Sequence, residues 1–484
     1  MNREQIHQAA EESVVSSLEE LRNFLKIPNN GNFPEHIQSN LEWCKNTFQS
    51  IQFDTKILTT EGAPQLYAER IYDPGLKSLL FYLQIDGQPV DTSFWNQENP
   101  YLPVLKVLKK EVWEEIDWDK LKQEFNPDWR IFARSASDSK GPAIAFMTAL
   151  DILNKRAIQP DFNIKVIMDF QEELGSPTLA TTVDKHRALL QSEMLLIMDG
   201  TRHLSNLPTL TFGARGIATV TIKVFGAKRN LHSGQYGNFA PNPVFKLSKL
   251  IAGMKDEEGK VTIPGFYDGI NLSQERKDKI NDVPEDLLEI KKSLGIADID
   301  RVGETYQEAL QYPSLNVRGL RAAWVGEEVR TLIPSLAIAE IDMRLVPESG
   351  AMRQITLLRN YVLNQGYHLV DSIPTAEERR QYAKLASFQY RIGSKPFRTD
   401  FDSSIGKWLS SAMQRTFGDK FVRMSTTGGS QPIAPFINTL GIPAVSLRIP
   451  NPDNNIHAPN ENLRLGNFLE GIQMCLGVLT EEMK

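Results

Sequence analysis

The feature that most constrains the fold is a series of apolar, strand-like runs that each end in an acidic residue. The runs are LLFYLQID, which ends at Asp86, RIFARSASD at Asp138, IKVIMDFQEE at Glu172 and Glu173, and MLLIMD at Asp199. In an open α/β sheet, ligands gather beyond the carboxyl ends of the strands, so acids placed there converge in space. The loop sequence NNIHAPNE, far downstream, adds His457. We therefore predict an α/β sheet whose carboxyl edge holds several acids and one imidazole.

Composition and charge exclude several classes of protein. The chain has 484 residues, of which 41% are hydrophobic and 24% charged, as is typical of a soluble globular protein. Its formal charge of -6 offers no basic footprint for nucleic acid. No apolar stretch approaches the length needed to cross a bilayer, and the charged N-terminus lacks the apolar core of a signal peptide. Only two cysteines are present, so we expect a cytoplasmic protein with no disulfide framework and no nucleic-acid or membrane partner.

The alternation of strands and helices predicts two domains. Strand-like and helix-like segments alternate up to residue 212, as they do in βαβ units. From residue 213 to 396 the order of strands and helices predicts a smaller two-layer α/β domain inserted into the first. The βαβ texture returns at residue 397 and continues to residue 484. The polar stretch between Trp95 and Arg130 is interpreted as a surface insertion.

The acidic residues predict a bound cation when they are considered together. Alone, an acid at a strand end is more often a turn former or a helix cap, and an adjacent acid pair is usually solvated. Two unit charges about 4 Å apart repel by roughly 4 kcal/mol at an effective dielectric constant near 20. If Asp138, Glu172, Glu173 and Asp199 share one cleft, protons or a divalent cation must offset that repulsion. His457 favours the cation, because imidazole with carboxylates is a zinc-type ligand set.

Motifs along the whole chain carry a resemblance to a known family. In order they are LQIDGQPVDTSFW, RSASDSKGP, FQEELGSP, MDG and IHAPNEN, with LHSGQYGNFAPNP, RTLIPS and MRLVP in the inserted region. This set resembles the carnosinase, aminoacylase-1 and succinyl-diaminopimelate desuccinylase-like zinc metallopeptidases. The resemblance implies a catalytic domain (1–212 and 397–484) with a central mixed sheet flanked by helices. It also implies that residues 213–396 form a lid domain through which two copies make a homodimer.

Carried over residue by residue, the resemblance implies a two-metal site. Asp138 would bridge two zinc ions, with Glu173 and His457 completing one site and Asp199 serving the other. Glu172 would be the general base that takes a proton from the attacking water. Asp86 would be a carboxylate behind the ligands that orients the side chain at position 84. One or two zinc ions are expected, and manganese or cobalt could replace them.

The resemblance also implies substrate-binding residues in the second half of the chain. His232, on the lid, would reach the partner subunit's active site and stabilise the tetrahedral oxyanion. Thr331, Arg344, Gly429 and Ser430 would hold the carboxylate of the substrate, and a planar guanidinium fork suits that group. Without the resemblance, His232 fits a surface histidine and Arg344 an ordinary ion-pair partner.

The chain departs from the family at its first metal motif, where Gln84 replaces a histidine. A glutamine carbonyl is a harder and weaker donor than imidazole, so the site served by Asp199 should bind zinc poorly. We expect that ion to be lost, to become labile, or to be replaced by manganese, and we expect Gln84→His to raise metal occupancy. A smaller departure is Thr427, which stands before the GGS loop where the relatives have a glutamate.

Several functions remain open at this point. The favoured one is a metal-dependent hydrolase of the dipeptidase or carboxypeptidase type, which cleaves a peptide or amide bond next to a free carboxylate. A general base such as Glu172 supports it, because a protein that only binds has little use for one. An N-acyl-amino-acid deacylase is a close alternative. A catalytically impaired relative that binds peptide-like ligands is favoured by Gln84, and a purely structural dimer is the remaining alternative.

Overall fold

The computed structural model describes residues 1–483, which form two compact units. Unit 1 consists of Met1–Gly213, Arg398–Ser425 and the chain from Pro432 onwards, and unit 2 consists of Ala214–Phe397 and Thr426–Gln431. The boundaries expected after residues 212 and 396 therefore fall after residues 213 and 397. The segment Thr426–Gln431, which the prediction placed with the first domain, belongs to unit 2.

Unit 1 is built on a mixed eight-stranded sheet. In spatial order its strands are Asp54–Leu58, Gln65–Arg70, Asn163–Asp169, Ser78–Gln84, Met194–Ile197, Ala444–Arg448, Thr209–Thr211 and Val422–Met424. The four central strands, from Asn163–Asp169 to Ala444–Arg448, run parallel to one another. Their residues are almost all buried, as expected for a parallel sheet packed on both faces. The predicted central mixed sheet is confirmed.

The helices of unit 1 complete its core with their apolar faces. Their bounds are Arg3–Leu25, Pro34–Ser50, Lys140–Lys155, Leu179–Lys185, Arg187–Leu190, Ser404–Phe417 and Leu465–Leu479, with a π-helix at Phe436–Leu440 and 3-10 turns at Thr92–Phe94, Trp118–Lys122 and Glu172–Leu174. The helix Lys140–Lys155 packs against both Arg3–Leu25 and Leu465–Leu479. Across residues 1–483, none of the helices combines the length and the apolar character that a bilayer crossing requires.

A second, antiparallel sheet in unit 1 corrects two expectations. Its strands in order are Asn462–Arg464, Arg130–Phe132, Val104–Lys109 and Val112–Ile116. The stretch between Trp95 and Arg130 is therefore a hairpin joined to this sheet, with Leu105 and Lys106 buried, and not a free surface insertion. The run that ends at Asp138 also leaves from this sheet, because only Arg130–Phe132 of it is a strand. Its short length and polar composition hid the pairing.

Unit 2 is a two-layer α/β structure. Its five-stranded sheet has the order Ser314–Arg321, Leu336–Leu345, Gly216–Phe225, Leu385–Ile392 and His368–Val370. The helices Pro243–Ala252 and Ala351–Asn364 pack on this sheet. The other helices of unit 2 are Ser233–Tyr236, Gln274–Asn281, Leu287–Leu294, Tyr306–Ala309 and Ala376–Gln381, with a 3-10 turn at Gly326–Glu328. The short strands Leu231–His232 and Leu332–Ile333 pair with each other. The two-residue strands Gly213–Ala214 and Phe397–Arg398 lie at the chain boundaries of the unit.

The carboxyl edge of the central strands positions the acidic residues. Gln84 and Asp169 lie opposite each other at the ends of adjacent parallel strands. The chain then turns directly into the segments that carry Asp86 and Glu172. Because the neighbouring strand Met194–Ile197 is also parallel, Asp199 follows at the same edge. The sheet thus brings together residues that lie far apart in the sequence.

Candidate metal centre

Three of the predicted metal ligands meet in unit 1. One donor atom from each of Asp138, Glu173 and His457 can be chosen so that all three lie within 4.8 Å of one another. His457 Nε2 is 2.9 Å from Asp138 Oδ2 and 3.3 Å from Glu173 Oε2. Each residue comes from a different segment of the chain. Two carboxylates and an imidazole converging in this way form a donor set suited to a zinc-type cation.

The electrostatics of this group fit a divalent cation. Burial, helped by the nearby Asp138 carboxylate, raises the pKa of Glu173 to about 8. The hydrogen bond to Asp138 raises the pKa of His457 to about 9. Glu173 Oε1 is buried and accepts no hydrogen bond from residues 1–483. A buried carboxylate oxygen without a hydrogen-bond donor, beside an imidazole held by carboxylates, is suited to bind a cation.

Glu172 lies beside this group in the 3-10 turn Glu172–Leu174. Burial raises the pKa of Glu172 well above its usual value, and the carboxylates of Asp199, Asp138 and Glu173 raise it further. A carboxylate with a raised pKa is a stronger base than an ordinary glutamate. Glu172 therefore lies beside the converging ligands, where the resemblance implies a general base.

Asp86 holds the two glutamates through their backbone. Its Oδ1 accepts a hydrogen bond of 2.9 Å from the Glu172 N–H, and its Oδ2 accepts one of 3.1 Å from the Glu173 N–H. Burial raises the pKa of Asp86 well above its usual value. The expectation was that Asp86 orients the side chain at position 84. In this structure the carboxylate fixes the turn that presents Glu172 and Glu173, and its effect on the side chain at position 84 stays a prediction.

Sequence reasoning did not single out Glu461, which positions Asp138. The Glu461 carboxylate is fully buried and accepts hydrogen bonds from the backbone N–H groups of Ser135, Ser137 and Asp138 at 2.8, 2.9 and 2.8 Å. Arg134 Nη1 completes the arrangement at 2.7 Å. The signal lay in the motif IHAPNEN, where this glutamate follows His457 by four residues. One carboxylate therefore links the segment of Asp138 to the segment of His457.

The substitution Glu461→Gln is expected to weaken zinc retention about 10- to 100-fold, as changes behind metal ligands usually do. The amide places a donor against N–H groups and leaves the buried Arg134 without its counter-ion. Zinc per chain after dialysis against graded chelator measures the effect. Asp453→Asn is the matched control, because that carboxylate pairs with Arg130 at 2.7 Å but is mostly exposed. Equal zinc retention in both variants would contradict the role of Glu461.

The other side of Asp138 is occupied by hydrogen-bond donors. Gln84 Nε2 donates to Asp138 Oδ1, and Ser139 Oγ lies 3.1 Å from the same oxygen. Ser139 Oγ also lies 3.3 Å from Asp199 Oδ1. The group of donors that could hold a metal within residues 1–483 does not include Asp199. The structure thus places Gln84 next to Asp138, and Ser139 Oγ lies between the carboxylates of Asp138 and Asp199.

The predicted residues of unit 2 fall into two places. His232 is exposed, pairs in register with Leu332, and accepts a hydrogen bond of 3.1 Å at Nδ1 from the Gly234 N–H. The backbone carbonyl of Thr331 accepts a bond of 3.3 Å from the residue after His232, so these two predicted residues are neighbours.

The second place is built around Arg344, whose Nη1 donates to Ser430 Oγ at 3.0 Å. Gly429 precedes that serine in the same loop. Arg215 was missed by the sequence analysis; it is buried, and burial together with the charge of Arg344 lowers its pKa to about 10. Its Nη2 donates to the Tyr312 carbonyl at 2.7 Å. Two neighbouring arginines and a serine hydroxyl offer donors of the kind a carboxylate accepts, and Asp342 Oδ2 already lies 3.7 Å from Arg344 Nε.

Comparison with known proteins gives one family. The family described as Peptidase family M20/M25/M40 matches residues 111–481. The human Beta-Ala-His dipeptidase is 26% identical over 430 residues, covering 86% of this chain and 77% of that protein. The Cys-Gly metallodipeptidase dug1 of Schizosaccharomyces pombe is 27% identical over 413 residues, covering 83% and 79%. Among solved structures, the M20 family metallo-carboxypeptidase Sso-CP2 from Sulfolobus solfataricus has a TM-score of 0.77 and 27% identity, with 96% of this chain and 98% of that chain covered.

Proposed function

Because the chain belongs to the peptidase family M20/M25/M40, we propose that this metallopeptidase is a dipeptidase that cleaves the peptide bond next to a free carboxylate. The observation that carries the proposal is the convergence of Asp138, Glu173 and His457 beside Glu172. The chain's similarity to a Beta-Ala-His dipeptidase and to a Cys-Gly metallodipeptidase supports small dipeptides as the substrate class.

The residues of unit 1 divide the chemistry between them. A divalent cation held by Asp138, Glu173 and His457 would lower the pKa of a nearby water and polarise the carbonyl of the scissile bond. Glu172 takes the proton from the attacking water and later passes it to the leaving amine. Asp86 keeps Glu172 in place through the backbone N–H groups of the turn. Positioning and proton transfer are therefore tasks of this chain's own side chains.

Unit 2 supplies the contacts that choose the substrate. We assign the substrate carboxylate to Arg344, Ser430 and Gly429, with Thr331 close to His232. A carboxylate accepts two hydrogen bonds from a guanidinium fork, so a free C-terminus binds there better than an amide does. His232 is proposed to stabilise the oxyanion in the partner subunit of a homodimer formed through unit 2. Its exposure leaves its ring available for that role.

Arg344→Met is expected to raise the KM for a dipeptide about 10- to 100-fold with a smaller change in kcat. A hydrogen bond to a charged group contributes about 1.5–3 kcal/mol, and this variant removes it from the ground state and the transition state alike. Arg318→Met is the control, because Arg318 lies on the same sheet and pairs with Glu340 at 3.6 Å near the surface. Kinetics with a dipeptide and with its C-terminal amide measure the effect. A KM within twofold of that of the unchanged protein would show that Arg344 does not bind the substrate carboxylate.

The proposal is tested with purified protein loaded with zinc, manganese or cobalt. Amine release is followed for a panel of dipeptides, their C-terminal amides and N-acetyl amino acids. Turnover of the free dipeptides, and not of the amides, supports a dipeptidase. Turnover of N-acetyl amino acids alone would make the protein a deacylase. If the protein binds the ion but hydrolyses none of these compounds, it is the catalytically impaired relative. The hydrogen bond from Gln84 to Asp138 is the observation that favours this last alternative.

A further inference from the structure

The two carboxylate oxygens of Asp138 have different neighbours. Its Oδ2 faces His457 at 2.9 Å, on the side of the converging ligands. Its Oδ1 already accepts from Gln84 Nε2 and lies 3.1 Å from the Ser139 hydroxyl. A cation would need that second oxygen if Asp138 bridged two ions. The lone pairs that a second ion requires are therefore directed at N–H and O–H donors.

A buried arginine lies beside the segment that carries Asp199. Arg448 ends the strand Ala444–Arg448, which runs parallel to Met194–Ile197 with Ser446 opposite Ile197. Two residues further along, Arg448 stands beside the segment Asp199–Gly200. Its side chain is 5% exposed and lies over Gly200, since a methyl group on the α-carbon of Gly200 would come within 1.2 Å of Arg448 Nη1. Glycine at position 200 therefore leaves the space that the guanidinium fills.

The guanidinium of Arg448 is only partly satisfied by hydrogen bonds within residues 1–483. Arg448 Nε and Nη2 are buried and donate no hydrogen bond to any group within residues 1–483. Burial lowers the pKa of the guanidinium, and the carboxylates of Asp199 and Asp138 oppose that shift. A buried guanidinium with two nitrogens that donate no hydrogen bond is costly unless nearby negative charge compensates it. The nearby carboxylates are Asp199 and Asp138, which the family resemblance assigns to the second ion.

We propose that the guanidinium of Arg448, together with the amide of Gln84, takes the place of the second metal ion. This inference rests on the proposed function and makes the protein a metallopeptidase with one ion per chain. An arginine remains charged at every physiological pH, so it offsets the charge of Asp199 and Asp138 without an ion. It cannot bind water as a metal does, so the Asp138, Glu173 and His457 group remains the place for the ion.

Gln84 and Arg448 complement each other chemically. A glutamine at position 84 alone removes a nitrogen ligand and leaves two carboxylates facing each other. The guanidinium restores the missing positive charge, and the Gln84 N–H satisfies the Asp138 oxygen. The sequence-based expectation that Gln84→His raises metal occupancy consequently changes. With Arg448 still in place, its positive charge beside Asp199 continues to oppose a second cation.

The test is the number of metal ions per chain, measured by elemental analysis after loading with zinc and desalting. We expect one ion in the unchanged protein and one in Gln84→His. We expect two in the double variant Gln84→His with Arg448→Met, because methionine replaces the apolar stem of the arginine and removes the charge. Gln84→His with Arg448→Lys is the matched control and should stay at one. Loading with Mn²⁺ gives an independent reading, since paired ions produce an exchange-coupled electron spin resonance spectrum and a single ion does not.

Each outcome decides between distinct claims. Two ions in the unchanged protein, or two in Gln84→His alone, would overturn the role of Arg448 and leave the dipeptidase proposal intact. One ion in a folded double variant would overturn it as well. No ion in the unchanged protein would instead remove the basis of the proposed function. If the variants with a changed residue 448 fail to fold, the unchanged protein and Gln84→His still decide the matter.

Discussion

Glu172→Gln is expected to lower kcat for dipeptide hydrolysis by about two to four orders of magnitude, the usual contribution of a general base. Glutamine keeps the size and the polar character of the side chain but cannot accept the proton from the attacking water. The backbone N–H of residue 172 still donates to Asp86, so the turn that carries Glu173 should stay in place. KM and zinc content are therefore expected to change little.

The effect of Glu172→Gln is separated from general damage by measuring three quantities in each variant. They are the zinc content per chain, kcat and the thermal midpoint of unfolding. Glu193→Gln is the control, because Glu193 is exposed just before a strand of the same sheet. Loss of zinc together with activity in Glu172→Gln would make residue 172 a ligand. A kcat within threefold of the unchanged protein would exclude it as the base.

The carboxyl edge of the parallel strands could be predicted from the sequence because its signal is local. Buried parallel strands read as continuous apolar runs, and the residue that ends each run is visible in the printed chain. Asp86, Asp199 and the pair Glu172 and Glu173 follow from that pattern alone, whereas Gln84 was singled out by the family resemblance. The structure brings Glu173 together with Asp138 and His457 at that edge. The rule about strand ends in α/β sheets was sufficient for this part of the centre.

The supports behind the ligands could not be predicted, because they depend on long-range pairing. The polar segment around Arg130 pairs with Asn462–Arg464, and only that pairing brings Glu461 under the backbone of Asp138. Arg448 ends a run that reads as an ordinary core strand, and no sequence pattern tells where its side chain points. The sequence analysis did not single out Gly200, whereas the structure shows that a Cβ at this position would collide with the guanidinium of Arg448. Contacts between residues that lie far apart in the chain produce no periodic pattern in the sequence.

His457→Ala is expected to reduce zinc affinity by more than about 100-fold and to abolish measurable hydrolysis. Even residues behind metal ligands change affinity 10- to 100-fold, and this substitution removes the imidazole itself. Asp138 and Glu173 then retain two carboxylates, a set that suits magnesium or calcium better than zinc. His368→Ala is the control, because His368 lies in unit 2 and stacks on Tyr382 with ring centres 3.6 Å apart. Unchanged zinc content in His457→Ala would show that His457 is not a metal ligand.

The pH dependence of zinc uptake tests the same ligands without any substitution. Without the ion, the pKa of Glu173 is about 8 and that of His457 is about 9, so both hold protons at neutral pH. Because zinc binds only the deprotonated forms, protons compete with it, and uptake releases them. Affinity should therefore fall as the pH drops below 8, rise between pH 8 and 9, and level off above 9. Competition with a chelator of known affinity, at each pH from 6.5 to 9.5, measures this curve. A flat curve would mean that neither side chain exchanges its proton for the ion, and the centre would then lie elsewhere in the chain.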